Sequence, residues 1–264
     1  STETAFMDLI AGTLALRPYV FGFLAAFLAA GAAALGWRRT LLFGGIVWPV
    51  AWLGEFASTR VGVPFGRYHY TGLTRGRELY VADVPLMDSL SFAFLAYAAF
   101  CLARAALARR RPSRGCLALL SGVLMMALDV VIDPLAVRGD RWFLERIFYS
   151  PEGGLYFGVP LSNFAGWVVV GTVGVGLYLA AARTVGAASA SPARGRAGMV
   201  WPGIALYYAV LGFNLAVTVW IGEWLLAGLG GLIHAAVALA LRFVHRHAVP
   251  GEVPGAGSRG VQRT

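Results

Sequence analysis

Five carboxylate residues stand within or at the ends of long apolar stretches of the chain: Glu55, Asp88, Asp129, Asp133 and Glu223. An ionisable side chain inside a membrane helix costs roughly 2.5–3.5 kcal/mol on insertion scales, so such residues are candidates for function. Asp129 and Asp133 are four residues apart in MALDVVIDPL, which places both carboxyl groups on one helix face, about 5–6 Å apart. Burial and the neighbouring charge both favour protonation, so one member is expected to hold a proton while another group stays ionised. The pattern predicts an acid and base couple.

The same spacing has a second interpretation as a metal site. A D-x-x-x-D pair can bind Mg²⁺ for a diphosphate substrate, as in membrane prenyltransferases, although those enzymes need a second aspartate-rich motif that this chain lacks. The spacing alone does not decide between the two. The chain has four histidines, fewer than a membrane di-iron enzyme needs, and its two cysteines lack the C-x-x-C spacing. The histidines and cysteines therefore predict no metal site.

Seven apolar segments of membrane-spanning length carry these residues. The chain is 58% hydrophobic and 13% charged, whereas a soluble domain has about 25% charged residues. The segments cover about 19–37, 41–58, 84–103, 116–135, 160–182, 200–222 and 224–244. We predict an all-α integral membrane protein, a single bundle of about seven transmembrane helices with two ordered outer loops. Residues 1–18 are expected to form an interfacial segment, 19–247 the polytopic transmembrane domain and 248–264 a disordered tail.

The polar residues fall at comparable depths in the predicted helices, counted at a rise of about 1.5 Å per residue. Three of them, in helices two, four and six, share one level about 20 Å from the cytoplasmic ends of their helices: Glu55, Asp129 and Asn214. Asp88 and Asn163 lie about 5–6 Å inside the outer face, with Trp167 roughly one turn deeper. Asp133 and Glu223 lie nearer that surface. Five helices thus direct polar groups into the outer third of the bilayer, where we place the site.

Two long loops, about 59–83 and 136–159, add aromatic and polar residues on the same side. Their candidate contacts to substrate or water are Tyr68, His69, Tyr70 and Tyr156. Long ordered loops usually carry function. The alternative is that they pack over the bundle as lids without catalysing anything, and that the histidine is an ordinary loop residue.

All 22 basic residues are arginine. Without a lysine the chain cannot form a retinal Schiff base, which excludes a retinal photoreceptor. The arginines lie in short loops rather than on one patch, so they indicate membrane orientation and no nucleic-acid partner. Of the 22, 14 lie on the side of the C-terminus and 8 on the other. The positive-inside rule then predicts a cytoplasmic C-terminus in the cell membrane.

Several motifs between about residues 50 and 170 resemble those of the membrane carotenoid 1',2'-hydratases of the CruF type. In that family a glutamate-bearing helix precedes an F-G-x-Y-x-Y loop, here FGRYHY, and an aspartate-rich helix ends in D-P, here LDVVIDP. The most specific motif, G-V-P-x-x-N-x-x-G-W, opens the next span and consists here of Gly158, Val159, Pro160, Asn163, Gly166 and Trp167. The flanking helices match the family only in hydropathy.

The resemblance implies a hydro-lyase that needs no cofactor. It would add water across the terminal C1=C2 double bond of an acyclic ψ-end carotenoid, of the lycopene or γ-carotene type, and give a tertiary alcohol. Asp129 or Asp133 would donate the proton, Glu55 or the other aspartate would stay ionised, and Asn163 would position water. Aromatic faces would stabilise the cation. The remaining candidate contacts to substrate or water are Trp167, Tyr68, Tyr70, His69, Tyr156, Asp88, Asn214 and Glu223.

The implied partners are a lipid-soluble carotenoid, membrane lipid and neighbouring carotenoid enzymes. Two other functions stay open at this point. One is a membrane prenyltransferase that uses Mg²⁺ and a prenyl diphosphate. The other is a proton-coupled transporter, because buried carboxylates also serve as proton relays. The chain shows no internal repeat of the kind that many transporters have.

Overall fold

A computed structural model of the chain describes residues 2–110, 112–187 and 199–247. Eight α-helices run through these residues: α1 (Thr2–Leu16), α2 (Pro18–Leu35), α3 (Trp37–Val61), α4 (Leu86–Ala106), α5 (Arg114–Ala136), α6 (Leu161–Ala187), α7 (Trp201–Trp220) and α8 (Trp224–Arg246). Four short strands lie between helices: β1 (His69–Tyr70), β2 (Tyr80–Val81), β3 (Val84–Pro85) and β4 (Phe148–Tyr149). The tail expected at 248–264 lies outside the described residues.

Seven of the described helices, α2 to α8, are long and apolar enough to cross a membrane. This confirms the predicted all-α bundle and makes the chain a multi-pass membrane protein. The largest difference between a predicted and an observed end is at α6, which continues to Ala187. Helix α3 continues to Val61, where Gly62 takes a left-handed conformation (φ 78°) and caps the helix. The 15-residue helix α1 is too short to span a bilayer. Its placement at the membrane interface stays a prediction.

The two long loops, residues 62–85 and 137–160, meet at one end of the bundle, which we call the loop face. Strand β1 of the first loop pairs antiparallel with β4 of the second, and β2 and β3 form a hairpin within the first. The backbone N–H of Thr71 donates to the carbonyl of Ile147 at 2.8 Å. These bonds tie the loops to each other, so they form the ordered loops that the sequence predicts.

Helices α5 and α6 approach each other closely, because glycines line their contact. A Cβ atom added at Gly122 would lie 2.5 Å from the carbonyl oxygen of Val168, and one added at Gly171 would lie 2.8 Å from the Cα of Gly122. Small residues permit such close packing of membrane helices. The contact lies about two helical turns from Asp129 on α5 and from Asn163 on α6, so it sets these two side chains against each other.

Helix α4 forms the centre of the bundle. It is buried along most of its length and packs against α2, α3, α5 and α7. Helix α8 has few buried residues, as a helix that faces lipid would. The short helix α1 packs against the first loop, where the hydroxyl of Thr13 accepts a hydrogen bond from the backbone N–H of Leu79 at 2.9 Å. The loop-face end of the bundle is therefore covered from three sides.

Candidate active site

A cavity lies inside the bundle at its loop-face end. Its wall combines residues from α2 to α7 with residues from both loops. Most of the wall is apolar or aromatic, including Tyr19, Phe23, Phe65, Met87, Phe92, Phe94, Trp142, Phe148 and Trp167. The charged and amide groups that interrupt it are Arg17, Glu55, Asp88, Asp133, Asn163 and Asn214. An apolar chamber with a few convergent polar groups is the usual form of a small-molecule site.

Asn163 joins the two aspartates of α5. Its Nδ2 donates to Oδ2 of Asp129 at 2.8 Å and to Oδ2 of Asp133 at 2.7 Å. Asp133 lines the cavity, whereas Asp129 is fully buried behind this amide, with its Oδ1 lacking a hydrogen-bond partner. The predicted pair is therefore brought together with the predicted amide. The two acids are not equivalent, since only one of them faces the chamber.

Trp167 completes the setting of Asp133. Its indole Nε1 donates to Oδ2 of Asp133 at 3.2 Å. Its ring stacks on Phe92, with centroids 4.3 Å apart and planes at 18°, and meets the edge of Phe65 at 6.3 Å. All three rings line the cavity. Aromatic faces attract a cation within about 6 Å of the ring centroid, so this part of the wall suits a developing positive charge.

Glu55 reaches the cavity from α3. It is 5% exposed, and its Oε2 is buried without a hydrogen-bond partner. The hydroxyl of Tyr70 lies within hydrogen-bonding reach of this carboxyl group, and the hydroxyls of Tyr68 and Tyr70 are 3.4 Å apart. Burial, reinforced by the nearby glutamate, holds the pKa of both tyrosines well above its usual value. Both phenols therefore stay protonated and able to donate.

Asp88 belongs to a buried ion cluster that sequence reasoning missed. Arg17, which precedes α2, donates through Nη1 to Asp88 at 2.9 Å and through Nε and Nη2 to Glu78 at 3.0 Å each. Arg17 and Glu78 are each 2% exposed. The one sequence signal is an arginine placed between an apolar stretch and Pro18. Its two partners are 61 and 71 residues away, which spacing cannot show.

The remaining predicted residues occupy separate places. Asn214 lines the cavity, but its Nδ2 donates to the carbonyl of Val210 in its own helix at 2.9 Å. Tyr156 is not part of the cavity wall; its hydroxyl is buried without a partner, and burial together with the charge of Asp129 raises its pKa. Asn214 is therefore part of the cavity wall, whereas Tyr156 lies outside it.

His69 and Glu223 lie away from the cavity. His69 borders a separate cleft on the loop face, and its ring contacts that of Tyr149 at 5.9 Å. Glu223, between α7 and α8, forms ion pairs with Arg138 at 3.1 Å and with Arg141. The structure therefore does not bring these two residues to the cluster on α3, α5 and α6, although the sequence predicts both as contacts of the site, His69 from its loop and Glu223 from its depth.

The described residues contain no group of three or more His, Cys, Asp or Glu side chains that could hold a metal ion. The paired aspartates are bridged by the amide donor of Asn163, and two neighbouring buried carboxyl groups can share a proton. The expectation that the site works without a cofactor stays a prediction.

Comparison with known proteins gives two matches. A family model described as "Carotenoid biosynthesis protein" matches residues 7–237. The bisanhydrobacterioruberin hydratase of Haloarcula japonica is 33% identical over 124 residues, which are 47% of this chain and 39% of that protein. The match thus spans about two fifths of the relative's length. No solved structure matches the chain significantly.

Proposed function

The chain belongs to the carotenoid biosynthesis protein family, and we propose that it adds water to the terminal C1=C2 double bond of an acyclic ψ-end carotenoid, giving a tertiary alcohol. One observation carries the proposal: an aspartate held by Asn163 and Trp167 faces a largely aromatic cavity. The partial match to a carotenoid hydratase supports the reaction type. We place the protein in the cytoplasmic membrane, with its C-terminal side in the cytoplasm.

The cavity fits one end of a long apolar substrate. It is bounded by membrane-spanning helices and lined mainly by apolar and aromatic side chains. A lipid-soluble polyene would dissolve in the bilayer and place its end group among these rings. Its terminal double bond would then lie beside the polar groups of α3, α5 and α6. Lycopene and γ-carotene are substrates of this shape.

Asp133 is the proton donor in this proposal, because it faces the cavity and Asp129 does not. Asn163 and Trp167 both donate to its Oδ2, so the acidic proton is carried by Oδ1. Transfer of that proton to C2 consumes the π bond and leaves a tertiary cation at C1. The amide of Asn163, which also donates to Asp129, continues to donate to the newly ionised Asp133 and holds that carboxylate in place.

The cation is held by ring faces and quenched by water. Phe92 and Trp167 offer their stacked rings, and Glu55 offers a carboxylate oxygen that no other group occupies. The oxygen of the water bonds to C1 while Glu55 accepts one of the protons of that water. The product therefore leaves as a neutral alcohol. The cycle closes when this proton returns to Asp133. Neither step needs a redox partner.

The proposal is tested by co-expression with a lycopene-producing pathway, followed by chromatography and mass analysis of the extracted pigments. The expected product is a carotenoid heavier by one water. Unchanged lycopene and unchanged γ-carotene, with the protein shown to be folded in the membrane, would overturn the proposal. Prenylated products in the same extract, or solute flux in proteoliposomes, would then indicate a prenyltransferase or a transporter.

A further inference from the structure

A second, polar cleft opens on the loop face beside the cavity. It is lined by Thr59, Arg60, His69, Tyr70, Arg75 and Asp83, a set we call the outer cleft. Asp83 accepts hydrogen bonds from Arg60 at 2.8 Å and from Arg75 at 2.9 Å, which fixes the rim. Tyr70 lines both the outer cleft and the inner cavity. Tyr70 is therefore the residue that the linings of the two spaces share.

Helix α3 lines both the outer cleft and the inner cavity. Thr59 lines the outer cleft and Glu55 lines the cavity, and the two residues are four apart on one face of α3. One turn of helix, about 5.4 Å, thus leads from the cleft to the carboxylate. The Tyr70 hydroxyl lies within hydrogen-bonding reach of that carboxyl group. Thr59 and the Tyr70 hydroxyl thus place polar groups between the outer cleft and Glu55.

The core toward the opposite face offers water no such path between α2, α3, α4 and α6. Phe43, twelve residues before Glu55 on α3, is fully buried there. Its ring contacts four other rings at centroid distances of 4.8–6.1 Å, those of Phe27, Tyr97, Phe100 and Tyr178. Close-packed rings leave few groups to which a water molecule could hydrogen bond.

We propose that the outer cleft supplies the water used at the inner site, with Tyr70 as the partition between the two. The proposal rests on the proposed function, since a hydration consumes one water in each turnover. The carotenoid and the water then reach the site from different directions, one from the bilayer and one from the loop face. Tyr70 keeps bulk water away from the cation while its hydroxyl passes single molecules to Glu55.

The first test blocks the outer cleft chemically. Thr59→Cys in a Cys116→Ser background is treated with the water-soluble reagent sulfonatoethyl methanethiosulfonate; the remaining Cys101 is buried. Hydration is expected to fall by about tenfold or more relative to the same variant before treatment, and to recover with dithiothreitol. Carotenoid binding, followed by pigment absorbance, should be retained. The matched control is Leu155→Cys, a loop-face position that is 86% exposed and lies outside both spaces, where the same treatment should change nothing.

A second measurement follows water access without activity. Ser91→Cys places a thiol in the inner cavity, and the same reagent is expected to label it only slowly from the aqueous side while Tyr70 is in place. Thr59→Trp should abolish that labelling, and Tyr70→Ala should accelerate it. Labelling that is indifferent to both changes, or hydration that survives the blocked cleft, would overturn the water route. Loss of the proposed function is a different result: the untreated protein then forms no hydrated carotenoid, whatever the labelling shows.

Discussion

The substitution Asp133→Asn tests the assignment of the proton donor. Oδ2 of Asp133 accepts from Asn163 at 2.7 Å and from Trp167 at 3.2 Å, and the amide oxygen of an asparagine can accept both bonds. The fold should therefore survive, while the acidic proton is lost. General acid catalysis contributes about 10²–10⁴-fold, so hydration should fall by that factor, equivalent to about 3–5 kcal/mol of transition-state stabilisation.

Two further variants make this test specific. Asp129→Asn removes the second carboxylate of the pair and should also reduce hydration strongly. Asp88→Asn should cost far less, because Arg17 keeps both hydrogen bonds to Glu78. Initial rates are measured in membranes by chromatography, and size-exclusion profiles in detergent check folding. Equal and mild losses in all three variants would remove the aspartate pair from the mechanism.

Three predictions concern stability, measured by unfolding in detergent. Arg17→Met should cost about 3–5 kcal/mol, because it leaves Glu78 buried without its partner, and a loss near zero would contradict the ion cluster. Gly166→Ala should cost about 1–3 kcal/mol, since the new Cβ would lie 2.6 Å from the ring of Phe65; unchanged stability would refute that contact. Burial disfavours the charged form of Glu223, yet two arginines outweigh it and lower its pKa. The stabilisation that the charged Glu223 contributes is therefore present at neutral pH. It is lost as the pH falls below the usual pKa of a carboxyl group and through the lowered pKa of Glu223. At that low pH the melting temperature of the wild type should no longer exceed that of Glu223→Gln. A difference that persists at low pH would show that the ion pairs of Glu223 are not its cause.

The fold could be predicted because the length and hydropathy of apolar segments identify membrane-spanning helices in a sequence. All seven spans appear where the apolar segments lie, with ends shifted by a few residues. The pairing of the loops through β1 and β4 could not be predicted, because two-residue strands have no periodicity to detect. The close contact of α5 and α6 was also hidden, since glycines occur in several of the helices and only packing shows which of them touch.

Part of the candidate site follows from counting helical turns. Asp129 and Asp133 share a face by their spacing, and the antiparallel run of α6 brings Asn163 to both of them. Counting failed for Glu223, because a depth near the surface says nothing of the arginines that bind it. Counting helical turns also could not show the ion pairs of Arg17, because its partners come from distant segments. Depth locates a residue along a helix, but packing decides which neighbours it meets.

The most direct test of the central claim uses the purified protein, reconstituted with lycopene in water labelled with heavy oxygen. The account predicts a monohydroxylated product that carries one heavy oxygen at C1, formed without added metal or cofactor, and formed far more slowly by Asp133→Asn. A hydroxylated product that lacks the label would show that its oxygen comes from another source. No product from the folded wild type with any ψ-end carotenoid would contradict the hydratase assignment itself.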